Sequence, residues 1–85
     1  MAEYNIFLKR SAVKELETLP QNDVQRILKR TEALKKNPRL PGSEKLSARE
    51  RYRFRQGYYR IAYAVQDTEC CVHIFQIGHR RDVYR

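Results

Sequence analysis

The sequence predicts an α+β fold in which two N-terminal helices pack on one face of a small, mainly antiparallel four-stranded sheet. Helically spaced apolar residues occupy the first half of the chain, and strand-like patterns occupy the second. Arginine alternates with aromatic residues from Arg51 to Arg55, which is typical of a strand whose two faces differ. A length of 85 residues suffices for one modest core, so we expect a single domain over residues 1–85.

The N-terminal elements follow from apolar spacing and from the residues that interrupt it. Residues 4–8 are predicted to form a short strand. Ser11 is a candidate cap for a helix over 11–19, and a proline follows that helix. Asn22 is a candidate cap for a second helix that runs to about residue 36. An Asn-Pro pair ends the second helix, because the residue before proline avoids the helical region.

The C-terminal half is predicted to form three strands, over about 50–56, 58–66 and 71–77. A two-residue turn at Gln56 and Gly57 would join the first two strands into a hairpin. This turn would set Arg55 opposite Tyr58, Arg53 opposite Arg60 and Arg51 opposite Ala62. The arginines then share one face, and the other face is apolar, with Tyr52, Phe54, Tyr59, Ile61 and Tyr63. Like charges across a ladder are destabilising, so we expect an anion to offset them.

The charge of the chain favours a phosphate-rich partner. The formal net charge is +8, and eight of the nine cations in residues 44–85 are arginines. A guanidinium matches phosphate with two parallel hydrogen bonds, whereas lysine acts as a point charge. The alternative, a basic surface that simply faces water, stays open on composition alone.

Several classes of site and location are not expected. Cys70 and Cys71 are adjacent, so ordinary disulfide geometry is out of their reach. The chain lacks a C-x-x-C motif and has only two histidines, so we expect neither a metal site nor a cofactor. No apolar run indicates export or a membrane span, which favours a cytoplasmic protein.

RNA cleavage is the chemistry that an arginine face would serve. Attack by a 2′-hydroxyl needs a proton acceptor, a proton donor for the leaving oxygen and cations for the charged phosphorane. Arginine supplies the cations, but its pKa is too high for proton transfer. The base and the acid would come from Glu44, His79 or Tyr84, or from the RNA or a partner. Tyr84 could equally anchor the last strand, and His79 could be a turn residue.

Over nearly its whole length the chain resembles the RelE/ParE toxin superfamily. The specific parts are the segment from Tyr59 to Tyr63 and the tail from Gly78 to Tyr84, and the tail is closer to the RelE branch than to the ParE branch. The resemblance implies the RelE-like microbial RNase fold. It also implies a metal-independent endoribonuclease that cuts mRNA in the 30S A site of the ribosome and inhibits translation.

The resemblance also assigns roles by position. The implied catalytic set is Arg51, Arg53, Arg60, Arg80 and Tyr84. The resemblance makes Arg55 a phosphate-binding residue. We also expect Lys45, Tyr58 and Arg81 to bind RNA or phosphate, and Tyr58, on the predicted arginine face, is a candidate for base stacking. Two family lysines are replaced here by Arg51 and Arg53, which argues against a side-chain base at those positions. The YoeB-like branch adds Glu44 and His79 as base candidates.

The implied partners are mRNA on the ribosome and an acidic antitoxin that wraps the toxin. Operator DNA would be bound only through the toxin–antitoxin complex, and no membrane contact is expected. Two other functions stay open: a ParE-like inhibitor of DNA gyrase, and a module that binds RNA or the ribosome without chemistry.

Overall fold

The predicted α+β fold is confirmed, with helices first and a meander of strands after them. The computed structural model describes residues 3–46 and 50–79, and for His79 only the backbone. In chain order the elements are β1 (Asn5–Leu8), α1 (Arg10–Glu17), α2 (Gln21–Ala33), β2 (Glu44–Lys45), β3 (Arg51–Gln56), β4 (Tyr59–Gln66) and β5 (Cys71–His79). Neither described helix is long and apolar enough to cross a membrane.

The sheet is mixed and has five strands in the order β1-β5-β4-β3-β2. β1 lies parallel beside β5, and the other neighbours are antiparallel. The sequence predicts four strands because β2 consists only of Glu44 and Lys45, too short to show alternation. Its pairing with β3 becomes visible only once the chain is folded.

Both helices begin two residues earlier than the predicted caps imply, and neither predicted cap is used. α1 starts at Arg10 after an extended Lys9, so Ser11 lies inside the helix. α2 starts after Pro20, whose φ of −58° lies in the range that the proline ring imposes, so Asn22 also lies inside its helix. Pro20 therefore separates the two helices and also begins the second one.

The hairpin turn is formed by Gly57 and Tyr58, so the predicted turn at residues 56 and 57 is wrong by one position. Gln56 pairs with Tyr59 across the turn. Gly57 has a φ of +62°, and a positive φ at the first turn residue suits a type II′ hairpin, in which glycine is favoured there. The slip by one residue changes each partner across the hairpin but keeps the same side chains on each face.

A β-bulge in β5 determines which of its side chains reach the core. The register against β4 shifts between Ala62 and Tyr63, which leaves Phe75 as the extra residue. Ile74 and Ile77 are three residues apart, yet both are buried, at 1% and 3% exposure. Without the bulge, strict alternation would turn one of them to the opposite face.

The helices cover the apolar face of the sheet, as predicted. Tyr63 is fully buried at its centre and packs against Phe54, with ring centroids 6.0 Å apart. Arg30 of α2 lies 5.1 Å above the Phe54 ring and ties that helix to β3. The buried apolar residues are Ala12, Ile27, Leu34, Tyr52, Phe54, Tyr59, Ile61, Ala62, Tyr63, Val65, Val72, Ile74 and Ile77. The sheet face away from the helices, which we call the open face, carries the arginines.

Candidate nucleic-acid interface

Strand register arranges the open face as three rows of side chains that run across the sheet. The first row is Phe7, His73, Ala64 and Arg51. The second row is Gln76, Ala62, Arg53 and Glu44. The third row is Gly78, Arg60 and Arg55. Successive rows are two residues, or about 7 Å, apart along β3 and β4, and the bulge adds one residue between the first two rows in β5.

Small residues form the middle of the open face, and long cations flank it. Ala64, Ala62 and Gly78 occupy successive rows, so the centre of the face is shallow. Arg55 lies directly opposite Arg60, where the sequence analysis had set Tyr58. Arg60 is only 6% exposed, whereas Arg55 is exposed. The face therefore has a buried arginine in its floor and an exposed arginine beside it.

Glu44 joins the arginines through the short strand β2. Because it pairs with Arg53, both side chains lie on the open face, and Nη2 of Arg53 donates to Oε1 of Glu44 over 2.9 Å. The Glu44 side chain is 62% exposed. Among the described residues, the buried Nε of Arg53 has no acceptor. A proton acceptor thus lies beside a cation that retains capacity to bind an anion.

Lys45 is not brought together with the arginines. It pairs with Tyr52, on the helix side of the sheet, and its Nζ lies 3.0 Å from Glu50. Glu50 also binds Arg39, which donates to the Tyr52 hydroxyl over 2.9 Å and to Asp67 over 2.8 Å. The bonds from Arg39 and then Lys45 lower the pKa of Glu50 to about 2. This network joins the segment before β2 to the start of β3 and to the β4–β5 turn.

The remaining predicted site residues have other placements. Tyr58 lies in the hairpin turn, 68% exposed, rather than on the strand beside Arg55. His79 ends β5 with its backbone opposite Tyr59. The candidates Arg80, Arg81 and Tyr84 lie outside the described residues, so their roles remain predictions.

An aromatic cluster around the first row was not predicted from the sequence. The Phe7 ring stacks on His73 with centroids 5.2 Å apart and planes 20° apart. The guanidinium of Arg51 lies 5.4 Å above the ring of Phe75. Alternation of Cys71, His73 and Phe75 could have suggested a shared face, but the bulge and the parallel neighbour β1 are tertiary features.

Over residues 3–46 and 50–79 no group of three or more histidine, cysteine, aspartate or glutamate side chains is placed to hold a metal ion. The described face combines guanidinium groups, a carboxylate and aromatic rings. Such a surface can bind a phosphodiester, stabilise added charge on phosphorus and stack on bases.

Known proteins share both the sequence pattern and the fold. Residues 6–84 match the family model described as ParE toxin of type II toxin-antitoxin system, parDE. A Methanocaldococcus jannaschii relative that bears the name RelE1 is 27% identical over 92 residues, covering 98% of this chain and 97% of the relative.

Two solved structures have the same fold. RelE in the RelE–RelB complex from Pyrococcus horikoshii superposes with a TM-score of 0.80 at 25% identity, over 92% of this chain and 96% of that one. The isolated Escherichia coli RelE toxin gives a TM-score of 0.81 at 22% identity, over 95% and 90% of the two chains.

Proposed function

This chain belongs to the RelE/ParE superfamily of toxins from type II toxin–antitoxin systems, and we propose that it is a ribosome-dependent endoribonuclease. It cleaves mRNA in the A site of the 30S subunit and thereby inhibits translation. The observation that carries this proposal is the buried Arg60 directly opposite Arg55. Two like charges across a ladder destabilise the free protein, and a bound phosphate offsets that repulsion.

Arg60 is suited to stabilise the transition state. Its side chain is held in the floor of the face, 6% exposed, so little reorganisation is needed when negative charge develops on the phosphorane. Arg53 and Arg55 lie within one row of it and bind the same phosphate or its neighbour. Arg80 adds a second catalytic cation, a role that rests on the resemblance alone.

The proposed reaction is an internal transfer at phosphorus. The 2′-oxygen attacks the adjacent phosphorus, the bond to the 5′-oxygen breaks, and a 2′,3′-cyclic phosphate and a 5′-hydroxyl result. A base takes the 2′-hydroxyl proton, and an acid returns one to the 5′-oxygen. Glu44 is our candidate base, because its carboxylate lies 2.9 Å from Arg53, beside the phosphate site. Tyr84 and His79 are the candidates for the acid.

We propose that the physiological partner is an acidic antitoxin. The Pyrococcus horikoshii RelE was solved as a complex with RelB. A net charge of +8 speeds association with an acidic protein, and the same charge serves RNA binding when the antitoxin is absent. Operator DNA is then bound through the complex, in the cytoplasm.

A second candidate function is inhibition of DNA gyrase. The observation that favours it is the family model, which is described by the ParE toxin and spans residues 6–84. Such a toxin acts through protein contacts and needs no transition-state arginine. It predicts gyrase-dependent DNA damage with mRNA left intact.

The deciding experiment is cleavage of mRNA on purified ribosomes, mapped by primer extension. We expect the wild-type protein to cut within the A-site codon and Arg60→Ala to cut about 10²- to 10³-fold more slowly. Arg26→Ala removes an exposed arginine from α2 and is the matched control. Circular dichroism verifies that both variants fold.

Undiminished cleavage by a folded Arg60→Ala protein would contradict the mechanism. Intact mRNA together with gyrase-dependent DNA breaks would support the second candidate. RNA binding that falls steeply with salt, without cleavage on ribosomes, would identify a binding module.

A further inference from the structure

We propose that the first row of the open face is a nucleobase-stacking subsite for a nucleotide a short distance along the mRNA from the cleaved phosphate. Its walls are Phe7, His73, Phe75 and Arg51, and Lys9 lies at its rim. The proposal rests on the proposed RNA cleavage, because it extends the same RNA path across the sheet. The ligand class is single-stranded RNA, and the recognised group is a base.

The first wall is the stacked pair of Phe7 and His73. Their ring centroids are 5.2 Å apart and their planes 20° apart, so each ring fixes the orientation of the other. Phe7 nevertheless remains 48% exposed, although it lies within a strand. An exposed ring that a neighbour holds in place offers its outer surface for stacking on a base at little conformational cost.

The second wall is Phe75 with the guanidinium of Arg51 above it. The bulge in β5 makes Phe75 an extra residue, and Arg51 lies 5.4 Å from its ring centroid. Bases stack on aromatic rings and on guanidinium planes alike. Arg51 also begins the arginine series of β3, so the aromatic cluster adjoins the proposed phosphate path.

A hollow of about 350 Å³ lies between His73 of the first wall and Phe75 and Arg51 of the second, whereas Phe7 stacks on His73 and does not itself line the hollow. It is lined by Lys9, Arg51, Ala64, Gln66, His73 and Phe75. Its volume falls in the range of small-molecule sites, about 300–1,000 Å³. The Gln66 amide offers a donor and an acceptor to a base edge, and the two cations attract the flanking phosphates.

The length of the face favours a polymer over a mononucleotide. The first row lies four residues along the strands from the Arg55–Arg60 row, or about 13 Å. A single phosphate group satisfies the arginines at one end but leaves the aromatic end empty. A strand of RNA that runs along the sheet occupies both ends.

The test measures binding of a short 2′-O-methyl oligoribonucleotide, which cannot be cleaved, by fluorescence anisotropy at low salt. Phe7→Leu keeps an apolar side chain but removes the ring, and we expect affinity to fall about fivefold or more. Leu28→Ala is the matched control, since Leu28 is 44% exposed on α2, and it should leave affinity unchanged. Arg51→Lys keeps the charge but removes the stacking plane, so affinity should fall while the salt slope stays the same.

Two further probes separate stacking from charge. Inorganic polyphosphate carries phosphates without bases, and we expect Phe7→Leu to bind it as tightly as the wild type does. An oligonucleotide with one abasic position, moved along the strand, should weaken wild-type binding at one position and have no further effect in Phe7→Leu.

Equal RNA affinity for Phe7→Leu and the wild type would overturn the subsite. So would an equal loss toward polyphosphate, or failure of the wild type to bind the oligonucleotide at all. Failure of the subsite is distinguishable from failure of the cleavage proposal. If only the subsite fails, Arg60→Ala still slows cleavage about 10²- to 10³-fold, whereas Phe7→Leu leaves RNA binding unchanged. If only the cleavage proposal fails, Phe7→Leu weakens RNA binding although Arg60→Ala cleaves as fast as the wild type.

Discussion

Replacing Tyr63 with phenylalanine removes the buried hydroxyl and its hydrogen bonds to Pro38 and Ser43 while it leaves the packing of the core nearly unchanged. Tyr63 is fully buried, and its hydroxyl donates to the carbonyl of Pro38 over 2.7 Å. Burial raises the pKa of this hydroxyl above its ordinary value, which already lies well above neutral pH, so the hydroxyl is protonated and donates. The bond anchors the start of the connection from α2 to β2, which carries Glu44.

The expected destabilisation follows from the loss of that bond. The ring and its stacking on Tyr52, with centroids 5.7 Å apart, are retained, so little cavity is created. The carbonyl of Pro38 loses its partner in a buried place, which costs about 1–2 kcal/mol. In a domain of this size each kcal/mol lowers Tm by about 4–8 °C, so we expect a fall of about 4–16 °C.

Urea denaturation and differential scanning calorimetry measure both quantities, with an unchanged m-value to show that the unfolded state is the same. Tyr58→Phe is the matched control, because Tyr58 is 68% exposed in the turn, and it should change stability by less than about 0.5 kcal/mol. A Tyr63→Phe protein within about 0.5 kcal/mol of the wild type would refute this reasoning. Equal losses in the two variants would do the same.

Three further outcomes follow from charge and backbone geometry. The hydrogen bond from Arg39 is the main reason that the pKa of Glu50 is lowered to about 2 in the folded protein. As pH falls, the Glu50 carboxylate is therefore protonated in the unfolded chain before it is protonated in the folded one. The stability that Glu50 contributes should be fully present above about pH 5 and lost as the pH falls toward 2. When Tm is measured against pH, Arg39→Gln should therefore show a smaller decline than the wild type. Arg55→Ala relieves the repulsion with Arg60, so the free energy of unfolding at low salt should be unchanged or raised by about 0.2–1 kcal/mol. The same variant should lower the slope of log affinity for RNA against log salt concentration by about 0.7, because one phosphate contact is lost. Gly57→Ala should lower the free energy of unfolding, measured in urea, by about 1–2 kcal/mol, because φ is +62° at this position. An added Cβ would meet no atom within 4 Å, so backbone strain is the expected cause, and an unchanged stability would contradict it.

Local patterns in the sequence predicted the two faces of the sheet. Alternation through β3 and β4 predicted which residues face the helices, because side chains on a strand point to opposite faces at every second position. This alternation did not predict which residues are paired across the hairpin. A turn placed one residue too early set Arg53 opposite Arg60, whereas the true turn pairs Arg55 with Arg60. Gly57, which has a positive φ, is the first residue of the turn and not the second. This position of the turn sets the register of the hairpin.

The candidate site shows the same division. An arginine-rich face was predictable, since Arg51, Arg53 and Arg55 alternate along one strand. That Glu44 reaches this face and Lys45 does not depends on the pairing of a two-residue strand, which has no signature of its own.

The sequence alone therefore determined the layers of this protein, the identity of its charged face and the family to which it belongs. These properties depend on residue types that recur with a period of two in strands and 3.6 in helices, and such patterns are visible in the sequence without the fold. Tertiary structure decided that Arg60 is buried in the floor of the open face and that Phe7 stacks on His73. Stacking of Phe7 on His73 requires β1 and β5, which are distant in the chain, to lie side by side, and Arg60 is placed by the pairing of β4 with a strand on each side. These registers are selected by packing of the whole core.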